Sequence, residues 1–352
     1  MTTSRSSDFP VVDEEAILVA LQRGLPLCSH PFAELADDLG CDEAEVLRVV
    51  ARAREAGMVR RFGAVFDTRR LGYKSALCAA AVPEAELDAA AARITPLLGV
   101  THCYLREPLV AGKAESKEPM PNLWFTLSYP ADIFSAMAVE VSARLSPHAV
   151  HVLPALRRYK VDVVFGAETR AREERVEDDL PPPTASERRL VGAIQGDTEV
   201  RSDYFAALAE RLGMKEWDVL SMLELWRRNG RLKRIGLLLR HRAAGWTANG
   251  MCCWRVEGDT SAAGRVLADC GEVTHCYERP EAPGFPYNLF AMVHAHSPEE
   301  SRRQFATLDA RLVETLGVPP PGTLLLSTRE YKKTSMTFFA DAGRGLKTNE
   351  HD

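Results

Sequence analysis

A histidine, a tyrosine and an arginine recur at identical spacing in two segments of the chain, Thr101–Arg106 and Thr274–Arg279. In an extended strand, alternate side chains share one face. The residues that would share a face are His102, Tyr104 and Arg106 in the first segment and His275, Tyr277 and Arg279 in the second. Imidazole exchanges protons near neutral pH and also ligates iron, while guanidinium grips carboxylates with two parallel hydrogen bonds. The pattern predicts that the three side chains of each segment could line one pocket, with the histidines as candidate general acids and the tyrosines as walls or secondary proton donors.

The two segments lie 173 residues apart, and the chain matches itself at that offset over a long run on their N-terminal side. Phe32 is repeated as Phe205, for example, and Gly63 as Gly236. Downstream, the sequence NLWF that begins at Asn122 returns as NLFA, with a loop seven residues shorter. Self-similarity of this kind is typical of duplicated domains. The chain is therefore predicted to consist of two related halves.

Each half begins with a pattern that predicts a winged helix-turn-helix unit, and continues with strands and helices in the order βαββαβ. That order is typical of a ferredoxin-like sandwich, so the predicted class is α+β. The predicted bounds are 13–66 for the first winged unit, 67–166 for the first sandwich, 167–184 for a linker, 185–240 for the second winged unit and 241–340 for the second sandwich.

Several element bounds follow from the same patterns. In the first sandwich, the sequence predicts helices over 84–97 and 131–145, and strands over 100–106 and 150–165, with a loop over 108–121. The last strand of the second sandwich is predicted over 323–338. Residues 1–12 are predicted to be a loose arm. A charged run over 168–179 followed by Pro181–Pro183 predicts a stiff linker.

Composition narrows the possible functions. The net charge is −5 and the pI is about 6.0, which gives no general attraction to nucleic acid or to anionic membranes. No apolar run approaches the ~20 residues of a membrane span, and no signal-peptide core is present, so a cytoplasmic location is expected. The eight cysteines form no C-x-x-C pair, which favours buried, reduced thiols over a metal cluster. Dinucleotide, P-loop and zinc-protease motifs are absent from the sequence.

A winged helix-turn-helix joined to a βαββαβ sandwich resembles the Lrp/AsnC regulators, which implies DNA binding as one possible function. The first reading helix, however, opens with Asp42, Glu43 and Glu45. Carboxylates at that end repel phosphate, and DNA affinity depends largely on contacts between cations and phosphates. The helices are therefore predicted to be structural, with no nucleic-acid partner.

The motifs resemble a narrower group, the siroheme decarboxylases of the Nir and Ahb pathways. The first half is similar to their D/A-type subunit, through the segment 122–126 (NLWFT) after the His-Cys-Tyr motif. The second half is similar to the L/B-type subunit, through the segment 285–290 (FPYNLF) and His294. The resemblance covers nearly the whole chain, as in a fused two-subunit form. One departure is that Glu107 of the first copy becomes Pro280 in the second.

The resemblance implies removal of the C12 and C18 acetate carboxylates of siroheme, giving 12,18-didecarboxysiroheme for haem d1 or alternative haem biosynthesis. Such a carboxy-lyase would need no cofactor, because the iron belongs to the substrate. It also implies an internal pseudo-dimer of the two halves, with a homodimer of chains possible in addition. The alternatives are an Lrp/AsnC-like regulator sensing a small ligand or a tetrapyrrole, and a haem carrier without catalysis.

Siroheme carries eight carboxylates around an apolar ring, so its site needs scattered cations and aromatic walls. His102, His275, Tyr104 and Tyr277 are the catalytic candidates. The substrate-binding candidates are Arg60, Arg61, Arg106, Asn122, Trp124, Arg158, Lys160, Arg234, Arg279, Tyr287, Asn288, His294, Arg329 and Lys332.

Overall fold

The computed structural model describes residues 13–110, 118–161, 180–240 and 247–340. The predicted arm over 1–12, most of the predicted linker and part of the predicted loop over 108–121 lie outside the described residues. Within the part that the structure describes, no helix is both long enough and apolar enough to cross a membrane.

Both halves contain the same succession of elements, except that the first half ends in two short strands and the second in one long strand. The first half contains α1 (Glu14–Arg23), α2 (Pro31–Leu39), α3 (Glu43–Glu55), β1 (Val59–Phe66), β2 (Tyr73–Ala80), α4 (Leu87–Ile94), β3 (Val100–Val110), β4 (Leu123–Pro130), α5 (Phe134–Leu145), β5 (Val150–Pro154) and β6 (Arg157–Val161). The second contains α6 (Ala185–Ile194), α7 (Tyr204–Leu212), α8 (Glu216–Arg228), β7 (Leu232–Leu239), β8 (Ala248–Trp254), α9 (Ser261–Ala268), β9 (Val273–Glu278), β10 (Leu289–Ala295), α10 (Pro298–Leu316) and β11 (Gly322–Lys333).

Local sequence explains how the helices of the winged units begin and end. The side chain of Asp42 accepts a hydrogen bond of 2.7 Å from the backbone N–H of Glu45, which caps α3. Thr184 and Glu187 form a reciprocal capping box at the start of α6. Gly40 and Gly213 end α2 and α7 with φ of 71° and 65°, a left-handed conformation that glycine adopts without steric cost.

The two winged units interlock rather than standing apart. Their wings, β1 and β7, pair antiparallel in a two-stranded sheet with Gly63 opposite Gly236. A Cβ added at Gly236 would lie 2.3 Å from the carbonyl oxygen of Leu21 in α1, and one at Gly63 would lie 2.3 Å from that of Gly196, just beyond α6. Each wing thus packs closely against a helix of the other half, and the two units share one hydrophobic core.

The sandwich domains share a nine-stranded sheet in the order β5-β2-β4-β3-β11-β8-β10-β9-β6. Each half supplies four neighbouring strands in ferredoxin-like order. The halves also exchange strands: β11 of the second half pairs with β3 of the first, and β6 of the first pairs with β9 of the second. The predicted α+β class with duplicated Lrp/AsnC-like units is confirmed.

Three hydrophobic clusters fill the sandwich domains. One lies between the sheet and the helices of the first half, and a second lies in the same place in the second half. A third joins residues of both halves, including Trp124 from β4 and Phe285 and Phe290 from the second half. Tertiary packing therefore makes the halves one structural unit.

Several predicted element bounds were wrong. The region 150–165, which was predicted to contain the last strand, contains two strands within its described residues, because β5 pairs with β2 whereas β6 crosses to pair with β9. The strand predicted over 100–106 continues to Val110, because β11 pairs with its second part. The strand predicted over 323–338 ends at Lys333. The helix predicted over 84–97 begins as a 3-10 turn at Glu84–Glu86 and ends at Ile94, and the helix predicted to begin at 131 begins at Phe134.

Candidate active site

The duplicated motif forms a row of three adjacent side chains, His, Tyr and Arg, on each of two strands. In β3, the ring centroids of His102 and Tyr104 are 6.2 Å apart, and the Arg106 guanidinium carbon lies 5.5 Å from the Tyr104 centroid. Cys103, on the opposite face, is fully buried among residues that pack against the helices. The predicted shared face of the three residues is therefore confirmed in the first half.

The second row has the same construction in β9. The His275 and Tyr277 centroids are 6.1 Å apart, and the Arg279 guanidinium carbon lies 4.6 Å from the Tyr277 centroid. Cys276 is buried on the opposite face, as predicted. All eight cysteines of the chain are free, and seven of them are buried.

A threonine positions each imidazole, a role that was not predicted from the sequence although Thr precedes His in both motifs. Nδ1 of His102 lies 3.0 Å from Oγ1 of Thr101, and Nδ1 of His275 lies 3.1 Å from Oγ1 of Thr274. The Thr274 hydroxyl donates its single hydrogen to the carbonyl oxygen of Met292, at 3.2 Å. Oγ1 of Thr274 must then accept from Nδ1–H of His275, which leaves Nε2 of the neutral ring with a lone pair.

Burial lowers the pKa of both histidines to about 4. Nearby cations act in the same direction, led by Arg60 and Lys333 at His102 and by Lys233 and Arg279 at His275. His275 also lowers the pKa of His102, so the two halves of the cluster adjoin. Without a ligand both imidazoles are neutral at physiological pH, in a strongly cationic setting.

The surroundings of His102 come from both halves of the chain. Arg60 of β1 interacts electrostatically with Tyr104, with Glu330 of β11 and with Arg240 beyond β7. Glu330 lies directly opposite Tyr104 in the strand pairing. Glu330 and Arg240 were not among the predicted site residues, because both belong to the other half of the sequence.

The surroundings of His275 have the same mixed origin. Arg158 of β6 lies opposite Tyr277, and its Nη1 is 3.3 Å from Oδ2 of the buried Asp67. The cations Arg158, Lys233 and Arg69 and a backbone N–H outweigh the desolvation of Asp67, so its pKa is lowered and it remains a carboxylate. Arg158 was predicted as a site residue, whereas Asp67 was missed.

The two motif arginines, Arg106 and Arg279, end the two rows and remain cationic. Burial lowers the pKa of each to about 10, still well above neutrality. Arg106 reaches the side-chain oxygen of Asn249 at 3.3 Å, and Arg279 donates to the carbonyl oxygen of Leu153 at 2.6 Å. Asn249, the contact of Arg106, lies in β8, and His294 of the neighbouring strand β10 is directly opposite it.

The two predicted asparagines do not point at this cluster. Nδ2 and Oδ1 of Asn122 bond the backbone C=O and N–H of Val82 at 2.8 and 2.9 Å. Asn288 makes the same pair of bonds to Val256, both at 2.9 Å. Each amide is therefore used in a backbone clamp in this structure, and the assignment of both residues to substrate binding stays a prediction.

The predicted aromatic walls also have structural contacts. Trp124 is 1% exposed, donates from Nε1 to the carbonyl oxygen of Pro121 at 3.0 Å, and packs edge-on against Phe285. Tyr287 is 1% exposed in the same cluster between the halves. Both rings are packed in the core of this structure, and their assignment to substrate binding stays a prediction.

Three predicted cations serve the exchanged strands instead. Nζ of Lys160 donates to the carbonyl oxygen of Cys270 beyond α9, at 2.8 Å. Nζ of Lys332 donates to that of Thr95, at the end of α4, at 2.6 Å. Arg329 forms an exposed ion pair with Asp88 of α4. Lysine near a helix C-terminus satisfies its last carbonyl groups, so these residues fasten each strand to the other half.

The remaining two predicted arginines lie on the paired wings. Both terminal nitrogens of Arg61 donate to the carbonyl oxygen of Ala64 at 3.1 Å, and its Nε donates to Ser335. Arg234 is close enough to Arg61 to lower its pKa. The side chain of Arg61 therefore hydrogen-bonds within its own wing strand. Among the described residues, no group of three or more His, Cys, Asp or Glu lies together as a metal site.

Family models match most of the chain. The AsnC-like ligand binding domain matches residues 70–160 and again 243–332. The siroheme decarboxylase NirDL-like HTH domain matches residues 14–60. Both copies of the ligand-binding model coincide with the sandwich strands that carry the His-Tyr-Arg rows.

Comparison with individual proteins gives full-length matches. The chain is 33% identical to the siroheme decarboxylase of Hydrogenobacter thermophilus, over 93% of this chain and 95% of that protein. A match over one part of the chain is the siroheme decarboxylase beta subunit of Methanosarcina barkeri. It is 37% identical, over 42% of this chain and 95% of the subunit. The crystal structure of the siroheme decarboxylase NirDL in complex with an iron-uroporphyrin III analogue superposes with a TM-score of 0.69 and 29% identity, covering 94% of this chain and 95% of that one.

Proposed function

The chain belongs to the siroheme decarboxylase family, and from that premise we propose that it removes the C12 and C18 acetate carboxylates of siroheme to give 12,18-didecarboxysiroheme. The observation that carries the proposal is the pair of His-Tyr-Arg rows set among cations from both halves. The enzyme is a carboxy-lyase that supplies haem d1 or alternative haem biosynthesis.

The reaction has a simple balance. Each ring-bound acetate loses its carboxylate as CO2, and the electron pair of the broken C–C bond passes to the methylene carbon. One proton then converts that carbon to a methyl group. The conjugated macrocycle can accept the electron pair transiently, so the substrate itself supplies the difficult electronic step. The protein has to orient one acetate, exclude water from it and deliver a proton.

The cation clusters suit the first of these tasks. Arginine holds a carboxylate bidentately, so Arg60, Arg106 and Arg279 can fix which side chains of the ring lie near an imidazole. Tyr104 and Tyr277 lie between imidazole and guanidinium and provide flat apolar surface for the ring edge. Removing one such carboxylate contact is expected to weaken binding more than turnover.

The histidines suit proton delivery once the substrate is bound. Burial and, after it, nearby cations hold the pKa of both histidines near 4. The substrate's carboxylates would offset the cations, which raises the pKa of each imidazole from that value. Nε2 of His275 carries a lone pair toward which a proton can move. Binding of the substrate therefore converts a neutral base into a usable acid.

The same lone pair suits iron ligation, and the two roles have different spectroscopic results. A histidine that ligates iron changes the Soret and visible bands of bound ferric siroheme when it is replaced by alanine. A histidine that only donates protons leaves these bands in place while turnover falls, typically by about 10²–10⁴-fold. Separate His102→Ala and His275→Ala variants assign a role to each residue.

The main test is an anaerobic incubation of the purified chain with siroheme, without nucleotide, added metal or electron carrier. The expected result is about two CO2 per macrocycle, with a product that has two methyl groups in place of acetates, because the ring is its own electron sink. Tight binding of siroheme without release of CO2 would favour a carrier or sensor. Full turnover by both histidine variants would remove the histidines from the mechanism.

We also propose that the protein binds no DNA and needs no cofactor besides the substrate's iron. It is expected to be cytoplasmic, and two chains are expected to pair. The cations of α3 support the first of these, since Arg48 and Arg52 form ion pairs with Glu45 of the same helix at 2.5 and 3.2 Å. An anisotropy titration with promoter DNA from its own operon should give only weak, salt-sensitive binding. Nanomolar, sequence-dependent binding at physiological salt would support the regulator instead.

A further inference from the structure

The His102 side and the His275 side of the cluster are built from matching positions but carry different charges. Arg60 in β1 matches Lys233 in β7 at the 173-residue offset, and at the same offset Asp67 matches Arg240. Arg158 lies opposite Tyr277, whereas its counterpart opposite Tyr104 is Glu330. At two matching positions, therefore, the sign of the charge is reversed between the sides.

On the His275 side, the chain provides its own carboxylate. Asp67 is 3% exposed, and its oxygens lie 3.3 Å from Nη1 of Arg158 and 3.6 Å from Nε of Arg69. It also interacts with Lys233 and with Tyr277. Asp67 is thus a buried carboxylate among three cations and beside the motif tyrosine. A carboxylate of a ligand would occupy the same position if Asp67 were absent.

On the His102 side, the matching residues place no carboxylate at the position that corresponds to Asp67. Arg240, which matches Asp67, is exposed, and so is Glu330, which matches Arg158. Within the described ranges, no carboxylate lies within ion-pair distance of Arg60 or Arg240. Arg60 nevertheless lies close enough to His102 to lower its pKa. Glu330 acts on Arg60 only at longer range, so on this side neither described cation has a carboxylate in ion-pair contact.

Resting on the proposed function, we propose that the carboxylated macrocycle is held on the His102 side by Arg60 and Arg240, and that Asp67 fills the corresponding place on the His275 side. A ligand carboxylate entering the His275 side would have to displace Asp67 from a buried ion pair, and separating such a pair leaves an uncompensated buried charge. On the His102 side, the same carboxylate gains its cations without displacing another anion. The duplication therefore provides two similar frameworks, of which one is internally occupied.

Binding of ferric uroporphyrin III to the full-length chain, followed by absorbance titration, tests this assignment without depending on turnover. The first comparison is Arg60→Met against Lys233→Met, which remove matching cations. The second exchanges the charge pairs: Arg240→Asp/Glu330→Arg copies the His275 side onto the His102 side, and Asp67→Arg/Arg158→Glu does the reverse while keeping opposite charges together. Thermal unfolding establishes that each variant is folded.

We expect the two changes on the His102 side to raise the Kd by about tenfold or more, the cost of losing a charged hydrogen bond. Lys233→Met and the swap at Asp67 should leave the Kd unchanged or lower it. The assignment is overturned if changes on the His275 side raise the Kd as much, or if those on the His102 side do not raise it. If the wild-type chain turns over siroheme and the variants give either of those results, only the assignment is contradicted. If the wild-type chain does not turn over siroheme, the proposed function is contradicted.

Discussion

At the residue scale, the chemistry of this protein depends on how two imidazoles are kept neutral and oriented. Threonine fixes Nδ1 in both rows, and at His275 the hydrogen bond from Thr274 to Met292 also fixes the tautomer. Burial and neighbouring cations then hold each pKa at about 4. In the proposed reaction the rings are poor acids until the anionic substrate binds, so proton delivery would depend on substrate binding.

The same shift predicts a pH dependence of stability for the ligand-free protein. Each histidine has a folded-state pKa of about 4, below its ordinary value of about 6.5. Between these values the unfolded chain binds more protons, so the stabilisation is complete above about pH 6.5 and is lost as pH falls toward 4. We expect the melting temperature to decline over that range.

Differential scanning calorimetry between pH 7.5 and 4.5 measures this decline. His102→Gln/His275→Gln should reduce it, because the titrating groups are gone. His30→Gln, which removes an exposed histidine outside the cluster, is the control and should behave as the wild type does. A double variant with an unaltered pH profile would mean that other groups cause the decline.

At the element scale, the exchanged strands decide how the site is assembled. Tyr159 of β6 is 2% exposed, and its hydroxyl lies 2.8 Å from Oγ1 of Thr260 at the start of α9. The ring fits because α9 has Gly264 beneath it. Its counterpart Tyr331 in β11 is only partly buried and donates to Asp88 at the surface of α4. A single glycine thus allows one exchanged strand to dock more deeply than the other.

Gly264→Ala is predicted to destabilise the protein, opposite to the usual effect of this change in a helix. A Cβ at this position would lie 2.3 Å from the Tyr159 ring, so the ring and β6 must shift. Overpacking typically costs about 1–3 kcal/mol, which outweighs the ~1 kcal/mol gained from helix propensity. Since β6 carries Arg158, the charge cluster at His275 should be disturbed as well.

Chemical denaturation compares this variant with Gly192→Ala. Gly192 is exposed in α6, and a Cβ there would meet nothing within 4 Å, so alanine should stabilise by up to about 1 kcal/mol. Equal stabilisation by both substitutions would show that Tyr159 does not depend on the glycine.

At the scale of the whole molecule, the two halves complete one another. The wings pair across the halves, β11 pairs with β3, β6 pairs with β9, and one hydrophobic cluster contains residues of both halves. Each charge cluster accordingly takes residues from both halves. A site built in this way exists only when both halves are present.

The separated halves, residues 1–175 and 184–352, are therefore expected to be poorly soluble when expressed alone. Each would expose the strand edges and apolar surface that the other half covers, and such edges promote aggregation. Co-expression or mixing should restore a soluble one-to-one complex, measured by size-exclusion chromatography with light scattering. Two soluble halves that remain monomeric after mixing would contradict this interdependence.

The sequence alone was sufficient to predict the duplication, the α+β class and the shared face of each His-Tyr-Arg row. These features follow from local rules: period-two alternation in strands, capping residues, and a motif repeated at constant offset. The backbone contacts of Asn122 and Lys160 could not be predicted in this way, because the same side chains can bind a carboxylate or satisfy a backbone carbonyl.

Only the tertiary structure decided which charges surround each histidine. Strand exchange brings Glu330 beside Tyr104 and Arg158 beside Tyr277, and the interlocked wings bring Arg240 near Arg60 and Asp67 near Tyr277. These partners are far apart in sequence and obey no local periodicity, because pairing between strands is set by packing of the complete core. The duplication and the reversed charges are present in the sequence, but only long-range contacts determine which histidine each charge lies beside.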